Sequence, residues 1–455
     1  MMDMESWVIT MNQRAREISR GGEVLRNRKR AYIYRLPAYV HIEQGDFVYR
    51  PYKVSFGPYY HGHESCQPKE VQKESCLIQF LARSGRPLEY FVVALADNVE
   101  DLKNAYDKLD RYWEDDTEAF LRLMILDGCF LIQILRAGCA FFYEDVSDSP
   151  ELGTDEISVS EMEYYVHDML LLENQLPMLV LEMLFSAEND NNRLEYVQVT
   201  ELILKFLSLL GTPVLRKDDT EREGKHLHVL DLYRRSLLNP EFRLKEKREK
   251  TRMQFGFNMG KKRRPQTGVD FNIPSATELH QAGMGFTTSK KTSLMDISFG
   301  RRTLKLPQIS LDNVSKSSFL NIIAFEQLHK GAGNEFTSYI HFMGSLLQDS
   351  NDVSLLQSRG IIRTTLRRDE VAELFSRLRR NTVINPDKML AYEYWTVARR
   401  VRLRFNKMSN EWRRDLFQTY LRSPWAIISV IAAILIFTLT IIQTVYTVLS
   451  YVNRK

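Results

Sequence analysis

Cysteine is scarce: the chain has four in 455 residues. That is too few for a disulfide scaffold and points to a reducing compartment, where Cys129 and Cys139 act as small apolar side chains. Nothing near the start resembles a secretory signal. Residues 1 to 20 carry Asp3, Glu5, Arg14, Arg16, Glu17 and Arg20, with no long apolar run between them, and suggest an amphipathic helix over 1–30. There is no phosphate-cradling glycine loop, no Gly-x-Ser-x-Gly elbow and no His-Glu-x-x-His pair. These absences remove the common motif-borne routes to nucleotide, acyl-transfer and zinc-protease chemistry, and no cofactor is expected.

The most telling absence is charge between Ser423 and Val452. A helix of this length reaches roughly 45 Å at ~1.5 Å per residue, against ~30 Å of hydrocarbon in a bilayer. The sequence therefore predicts a transmembrane helix over 423–452, with Trp425, Tyr446 and Tyr451 as interfacial anchors and a short tail at 453–455. The flank before it is basic: Arg399, Arg400, Arg402, Arg404, Lys407, Arg413, Arg414 and Arg422 oppose Glu411 and Asp415. By the positive-inside bias, residues 1–422 are expected in the cytosol, anchored at a membrane, the plasma membrane being the expected one. From Leu390 to Leu416, apolar residues recur every three or four positions: Leu390, Tyr394, Val397, Val401, Phe405, Met408, Trp412 and Leu416. Residues 389–422 thus read as a basic amphipathic juxtamembrane helix, packed on the body or lying on anionic inner-leaflet lipid.

The rest is composed like a globular protein, 44% hydrophobic with a net charge of +4. Residues 31–239 read as a helical lobe with an extended lead-in around Tyr32–Pro37 and Pro51–Gly62, the latter broken by Gly57, Pro58 and Gly62. Helical periodicity covers 116–135, 161–172, 177–185, 194–210 and 226–238, with a kink or break allowed at Asp127-Gly128. Residues 240–270 are a basic loop or linker, with ten basic residues against Glu246 and Glu249 between Arg243 and Arg264. Lys261-Lys-Arg-Arg-Pro265 lacks interleaved aromatics for base stacking, and no nucleic-acid partner is expected. Residues 271–388 continue the same body. A capped helix from Ser275 ends at Gly283, followed by strands at 285–288, 294–299 and 303–306 as a small antiparallel β-meander, and then helices at 317–330, 336–348 and 368–380. The expected fold is mainly α with that small antiparallel β-meander and one C-terminal transmembrane helix.

Several stretches resemble one plant family, known as domain of unknown function 247. They are Ile33-Tyr-Arg-Leu-Pro37, Val54-Ser-Phe-Gly-Pro-Tyr-Tyr-His-Gly62, Leu126-Asp-Gly-Cys-Phe-Leu131 and Asp168-Met-Leu-Leu-Leu-Glu-Asn-Gln-Leu-Pro177. Ala276–Gly283, Phe319–Gln327 and the Pro424-Trp425 span follow in the family's order. Tyr60 stands where the family often has His, and Gln133 where it often has Glu. The resemblance implies no catalytic activity. Some grass members are implicated as self-incompatibility determinants, so it implies recognition or signalling at a membrane with an unknown protein partner.

Two constellations bear on chemistry. His61, His63 and Cys66, with Cys76 beyond, are zinc-type ligands in a spacing that matches no common zinc pattern; a structured loop is the alternative. Polar residues set in apolar runs are Asp127, Asp168, Glu173, Asn174, Gln175, Glu278, His280 and Glu326. Carboxylates so placed could do acid–base work, with Asp127, Glu173, Glu278 and His280 as catalytic candidates. The same residues could instead form a buried hydrogen-bond network that fixes helix packing. The expectation is a non-enzymatic membrane-anchored recognition or signalling protein. The alternative is a membrane-tethered enzyme using the carboxylate–amide cluster. Small and hydroxyl residues along the span, Ser429, Ala433, Thr440, Thr444 and Thr447 beside Gln443, allow a homo-oligomer through it.

Overall fold

In a computed structural model, the described residues are 31–37, 40, 48–142, 157–189, 195–208, 226–238, 273–289, 293–381, 394, 396–408 and 424–452. The expected N-terminal helix, the basic stretch 240–270, Arg413, Arg414, Arg422 and the tail 453–455 lie outside them.

The first half is helical. Its elements are α1 (Gln67–Ser84), α2 (Leu88–Ala96), α3 (Val99–Lys103), α4 (Arg111–Asp115), α5 (Thr117–Phe142), α6 (Met162–Met169), α7 (Met178–Asn189), α8 (Glu195–Leu207) and α9 (Val229–Leu238). The spine is α5, and α1, α2, α7 and α8 pack around it. Phe120, Met124, Phe130, Ile134 and Leu135 on α5 are fully buried. The break allowed at Asp127-Gly128 does not occur; α5 runs 26 residues without interruption. Gly128 is there for proximity. A Cβ at that position would meet the Leu184 and Val180 side chains of α7, and one at Gly138 would meet Phe206 of α8. Glycine's cost to the helix is offset by close packing of neighbouring helices.

In the second half, α10 (Ala276–Gln281) starts with the expected capping box, in which Glu278 N–H donates to Ser275 Oγ and Ser275 N–H donates to Glu278 Oε2. Gly283 follows in the left-handed region, φ 82°. Strands β1 (Gly285–Thr288), β2 (Ser298–Gly300) and β3 (Thr303–Leu306) form one sheet in the order β1-β3-β2. It is mixed, and the expected antiparallel meander is corrected. β3 lies between the other two, parallel to β1 with Gly285 opposite Thr303, and antiparallel to β2 with Phe299 opposite Leu304. The cause is the stretch read as the start of the second strand. Leu294 N–H donates to Leu237 O at 3.0 Å, and Ser293 Oγ donates to Leu238 O at 2.5 Å, so this segment satisfies the carbonyl end of α9. Leu294, Met295 and Ile297 are buried there rather than paired beside β1.

A second, two-stranded parallel sheet joins β4 (Ile309–Leu311) to β5 (Ile362–Thr364). Helices α11 (Ser315–Leu328), α12 (Glu335–Leu346) and α13 (Ser350–Ser358) make the crossover, and α14 (Arg368–Asn381) follows. One buried apolar cluster runs from Ile33 to Val401 and takes in both halves.

Residues 396–408 are helical and dock on that body. Tyr394, Val397 and Val401 of the expected stripe are buried, and Phe405 and Met408 pack against the core at its edge. Tyr394 Oη donates to Leu294 O at 3.1 Å. Leu390, Trp412 and Leu416 lie outside the described residues.

Among the described residues, two helices are apolar and long enough to cross a bilayer, and burial separates them. Thr117–Ala140 of α5 is 72% buried, whereas Ile431–Leu449 of the terminal helix α15 (Pro424–Val452) is 0% buried. α5 is therefore core. On α15, Ile434, Phe437, Leu439 and Ile442 are all more than half exposed, and so is the anchor candidate Tyr446. Trp425 and Tyr451 also lie on this helix. Its hydroxyls turn inward: Thr440, Thr444 and Thr447 each donate to the carbonyl four residues back at 2.7 Å, which leaves no hydroxyl of theirs dependent on water.

Because Gly128 and Gly138 set the α5 contacts, Gly128→Ala should overpack the α5–α7 seam and cost about 1–3 kcal/mol. The measurement is the urea midpoint of unfolding, with exposed Ala82→Gly on α1 as the control expected to shift it by under about 1 kcal/mol.

Candidate functional site: a carboxylate–amide clamp on an extended segment

Residues 48–62 run alongside the helical lobe without belonging to either sheet. Val54, Ser55, Phe56 and Gly57 are buried, and buried backbone N–H groups need acceptors. The turn between α6 and α7 supplies them. Asp168, the penultimate residue of α6, accepts from the N–H groups of Tyr52 (2.8 Å), Lys53 (2.8 Å) and Val54 (2.9 Å). Asn174 Oδ1 accepts from Phe56 N–H at 2.8 Å, and its Nδ2 donates back to Val54 O at 2.9 Å, the pairing a neighbouring strand would have made. Glu173 Oε1 accepts from Leu36 N–H at 2.6 Å, and Oε2 accepts from Tyr60 Oη at 2.7 Å. Tyr60 thus places a hydroxyl donor on this carboxylate.

Asp127, halfway along α5, closes the other end. Its Oδ2 accepts from Gly57 N–H at 2.7 Å, and its Oδ1 lies 2.7 Å from Lys73 Nζ of α1. Both side chains are completely buried. Lys73 also donates to Ser55 O (2.8 Å) and Glu70 (2.8 Å). Burial pushes the Asp127 carboxyl up, and the Lys73 ammonium pulls it back. Burial alone would lower Lys73, but Asp127 and Glu70 outweigh it and hold the ammonium protonated. Gly57 has φ 77°, and a Cβ there would stand 2.8 Å from Tyr106 Oη and 2.9 Å from Gln175 O. Only glycine meets both conditions.

Gln175 completes the turn. Its Nε2 donates to Met169 O and Leu171 O at 2.7 Å each, and its Oε1 accepts from Leu230 N–H at 3.1 Å. Asn321 on α11 accepts from Leu172 N–H at 2.8 Å and donates to Val48 O at 3.1 Å, tying the second half to the clamp. The Asp168–Pro177 motif is thus one device in which four polar side chains in ten residues hold an extended segment and a helical turn.

The other candidates lie elsewhere. Glu278 and His280 are exposed on α10; Glu278 serves the capping box and His280 Nδ1 lies 3.2 Å from Met284 O. They do not join Asp127 and Glu173. Glu326 belongs to a second buried network, where Arg234 of α9 meets Glu326 (2.6 Å) and Glu335 (2.9 Å). Glu326 also accepts from Thr337 N–H at 2.8 Å, which fixes the start of α12.

His61 and His63 are exposed and diverge: His61 sits edge-on to Trp113 at 5.3 Å, and His63 Nδ1 lies 2.9 Å from Ser65 Oγ. Cys66 and Cys76 are buried, and burial pushes the Cys66 thiol up. Among the described residues, no three His, Cys, Asp or Glu side chains converge to hold a metal ion.

Sequence reasoning missed Lys73, His167, His228 and Asn321. Lys73 lies in an ordinary amphipathic helix, where a lysine reads as surface. His167 Nδ1 lies 2.9 Å from Asp168, and the Tyr52 ring covers it with centroids 4.2 Å apart. Among the described residues, no hydroxyl or thiol bonds to this His–Asp couple. His228 is fully buried, with Nε2 3.2 Å from Tyr32 O and Nδ1 accepting from Asp231 N–H at 3.2 Å. That pattern assigns the proton to Nε2.

A mainly helical body carrying this clamp, followed by an exposed apolar helix, defines the class of protein. The chain belongs to the DUF247 family, described as "Plant protein of unknown function", whose profile matches residues 33–439. It is similar to UPF0481 protein At3g47200 of Arabidopsis thaliana, 28% identical over 429 residues that cover 90% of this chain and 84% of that protein. It is also similar to a second Arabidopsis thaliana UPF0481 protein, At3g02645, at 22% identity over 87% of this chain and 86% of that one. No solved structure matches.

Three outcomes follow from the clamp. Asp127→Asn leaves the buried Lys73 ammonium with only the partly exposed Glu70 as counter-charge and should cost about 3 kcal/mol, while Asp127→Asn with Lys73→Met should recover part of it; chemical denaturation of the four-member cycle reads the coupling. Glu173→Gln should destabilise by about 1–3 kcal/mol, because an amide N–H₂ replaces one acceptor facing a donor, whereas Glu278→Gln should be near neutral, since glutamine also serves a capping box. Burial lowers His226, His228 and His341 to about 4 from 6.5. The unfolded chain binds these protons first, so stability is full above pH 6.5 and falls as pH drops toward 4. Urea midpoints measured across that window should fall, and less steeply in His228→Gln.

Proposed function

We propose that the chain is a membrane-tethered, non-enzymatic recognition or signalling protein whose body lies in the cytosol. The observation that carries the reading is α15. Its apolar faces are exposed all round, with Phe437 67% and Ile436 65% accessible. Such a surface is stable in hydrocarbon and costly in water. The basic residues before it, Arg399, Arg400, Arg404 and Lys407 on the docked helix and Arg413, Arg414 and Arg422 beyond, favour the cytosolic side for the body. Against catalysis, the polar residues of the family motifs have backbone N–H groups or fixed cations as partners. Asp127, Asp168, Glu173 and Asn174 are all buried at 6% exposure or less, and a substrate would have to displace the chain's own segment to reach them. The resemblance to self-incompatibility determinants makes a protein partner the natural ligand class, with the exposed surface of the body as its contact. Self-association through α15 is compatible with this role.

Topology decides between an inner-face signalling partner and a cell-surface receptor. Asn313-Val-Ser315 is the only N-glycosylation acceptor pattern in the sequence, and Asn313 is exposed just before α11. For the full chain expressed in plant cells, alkaline carbonate should leave the protein in the membrane pellet, and protease outside intact cells should leave the body whole. Extraction by carbonate would remove the tether. A glycan on Asn313 or digestion of the body from outside would reverse the topology.

A further inference from the structure

Asp231, Arg234, Arg235 and Leu238 follow one another at helical spacing along α9, and all four line a cavity of about 210 Å³. Ala332, in the turn between α11 and α12, and Met295, in the segment that meets the carbonyl end of α9, line it from the other sides. None of the clamp residues borders it. The hydrogen-bonding groups on its wall are unevenly used. Asp231 accepts from Leu227 N–H at 3.2 Å and from Arg235 Nε at 3.1 Å. Arg234, only 5% exposed, gives Nε to Glu326 at 2.7 Å and Nη2 to Ala332 O and to Glu335. Among the described residues, nothing accepts from Arg234 Nη1 or from either Nη of Arg235. A guanidinium has only donors and does not give up its charge, so the wall keeps donors in excess. What complements it must bring acceptors. Charge limits how many: Arg234 and Arg235 are met by Asp231, Glu326 and Glu335, two cations against three carboxylates. A dianion such as phosphate would add to that excess, whereas a single carboxylate can share Arg235 with Asp231, one on the Nη edge and the other on Nε.

We propose that this cavity binds a small monocarboxylic acid, its carboxylate on the Nη groups of Arg235 and Arg234 and its apolar part against Leu227, Leu238 and Met295. These three side chains give the cavity its apolar wall. Its volume lies below the ~300–1,000 Å³ of pockets that hold drug-sized ligands, so the apolar part is short. The site does not depend on the membrane tether or on the side of the bilayer that the body occupies, and it gives a body read as a recognition protein a small-molecule ligand.

The full chain in detergent micelles is titrated with butyrate, benzoate and benzamide, binding being read by ligand-observed NMR against empty micelles. Butyrate and benzoate should bind. Benzamide, which has the shape of benzoate without its charge, should bind at least about tenfold more weakly, because a hydrogen bond to a charged group is worth about 1.5–3 kcal/mol. Arg235→Gln should weaken benzoate by a similar factor and leave benzamide unchanged. The Arg235 side chain is 28% exposed, so this variant should keep the urea midpoint of the parent. Should it not, Ala332→Phe, at a half-buried position in the turn, fills the cavity with both arginines in place and should remove benzoate binding. Binding of neither acid above empty micelles, equal affinity for benzoate and benzamide, or benzoate binding unchanged in Arg235→Gln or in Ala332→Phe overturns the proposal. Displacement of benzoate by an equal concentration of inorganic phosphate overturns the assignment of a single charge.

Discussion

The fold depends on finding partners for the backbone amides of residues 52 to 57. Val54 to Gly57 are buried, no strand among the described residues pairs with the segment, and an unmet buried N–H costs about 1–3 kcal/mol. Asp168 meets those of Tyr52, Lys53 and Val54, Asn174 that of Phe56 and Asp127 that of Gly57, each from a different element. The clamp therefore couples the segment, α5, α6 and the turn before α7 into one cooperative unit. Its one deeply buried ion pair, Lys73 with Asp127, is tolerable because both charges are neutralised and hydrogen-bonded in place. A carboxylate serving two or three backbone donors does the work of a strand edge without its exposed far side.

From this clamp the architecture extends outward. Asn321 carries it to α11, Gln175 to α9, and Arg234 with Glu326 and Glu335 joins α9 to α11 and α12. α9 then hands its last carbonyls to Ser293 and Leu294, which pulls the following chain away from β1 and makes the sheet mixed. Leu294 in turn receives Tyr394, the residue that seats the helix over 396–408. A chain of polar contacts thus connects the Asp168–Pro177 turn to the helix over 396–408.

Much of this was legible beforehand, and the reasons differ by residue. The helices with strong apolar period were read within a few residues, because periodicity reports burial directly. The capping box at Ser275 and Glu278 and the glycine stop at Gly283 were readable because caps are local chemistry. The polar residues within apolar runs were recognisable as buried, and the network reading of Asp127, Asp168, Glu173, Asn174 and Gln175 came from that alone. Glu278 and His280 stand apart from them: both are exposed on α10, where an apolar sequence context did not report burial. Helices α1, α2 and α13 and the β4–β5 pair were not read. Lys73 on α1 is a lysine in an amphipathic run, and a three-residue strand such as Ile362–Thr364 leaves too short a pattern to register.

The sequence by itself determined that the chain is mainly helical, that it carries a long uncharged segment after a basic flank, and that its family motifs are rich in buried polar groups. These properties follow from composition, period and local caps, each of which acts over a few neighbouring residues. Tertiary structure alone decided that α5 is core while α15 is exposed, although both are apolar enough to cross a bilayer. It alone decided that Gly128 is a point of close approach, and that the sheet is mixed. Those outcomes depend on which surfaces meet across a hundred residues or more, and on buried hydrogen-bond partners that no local pattern records.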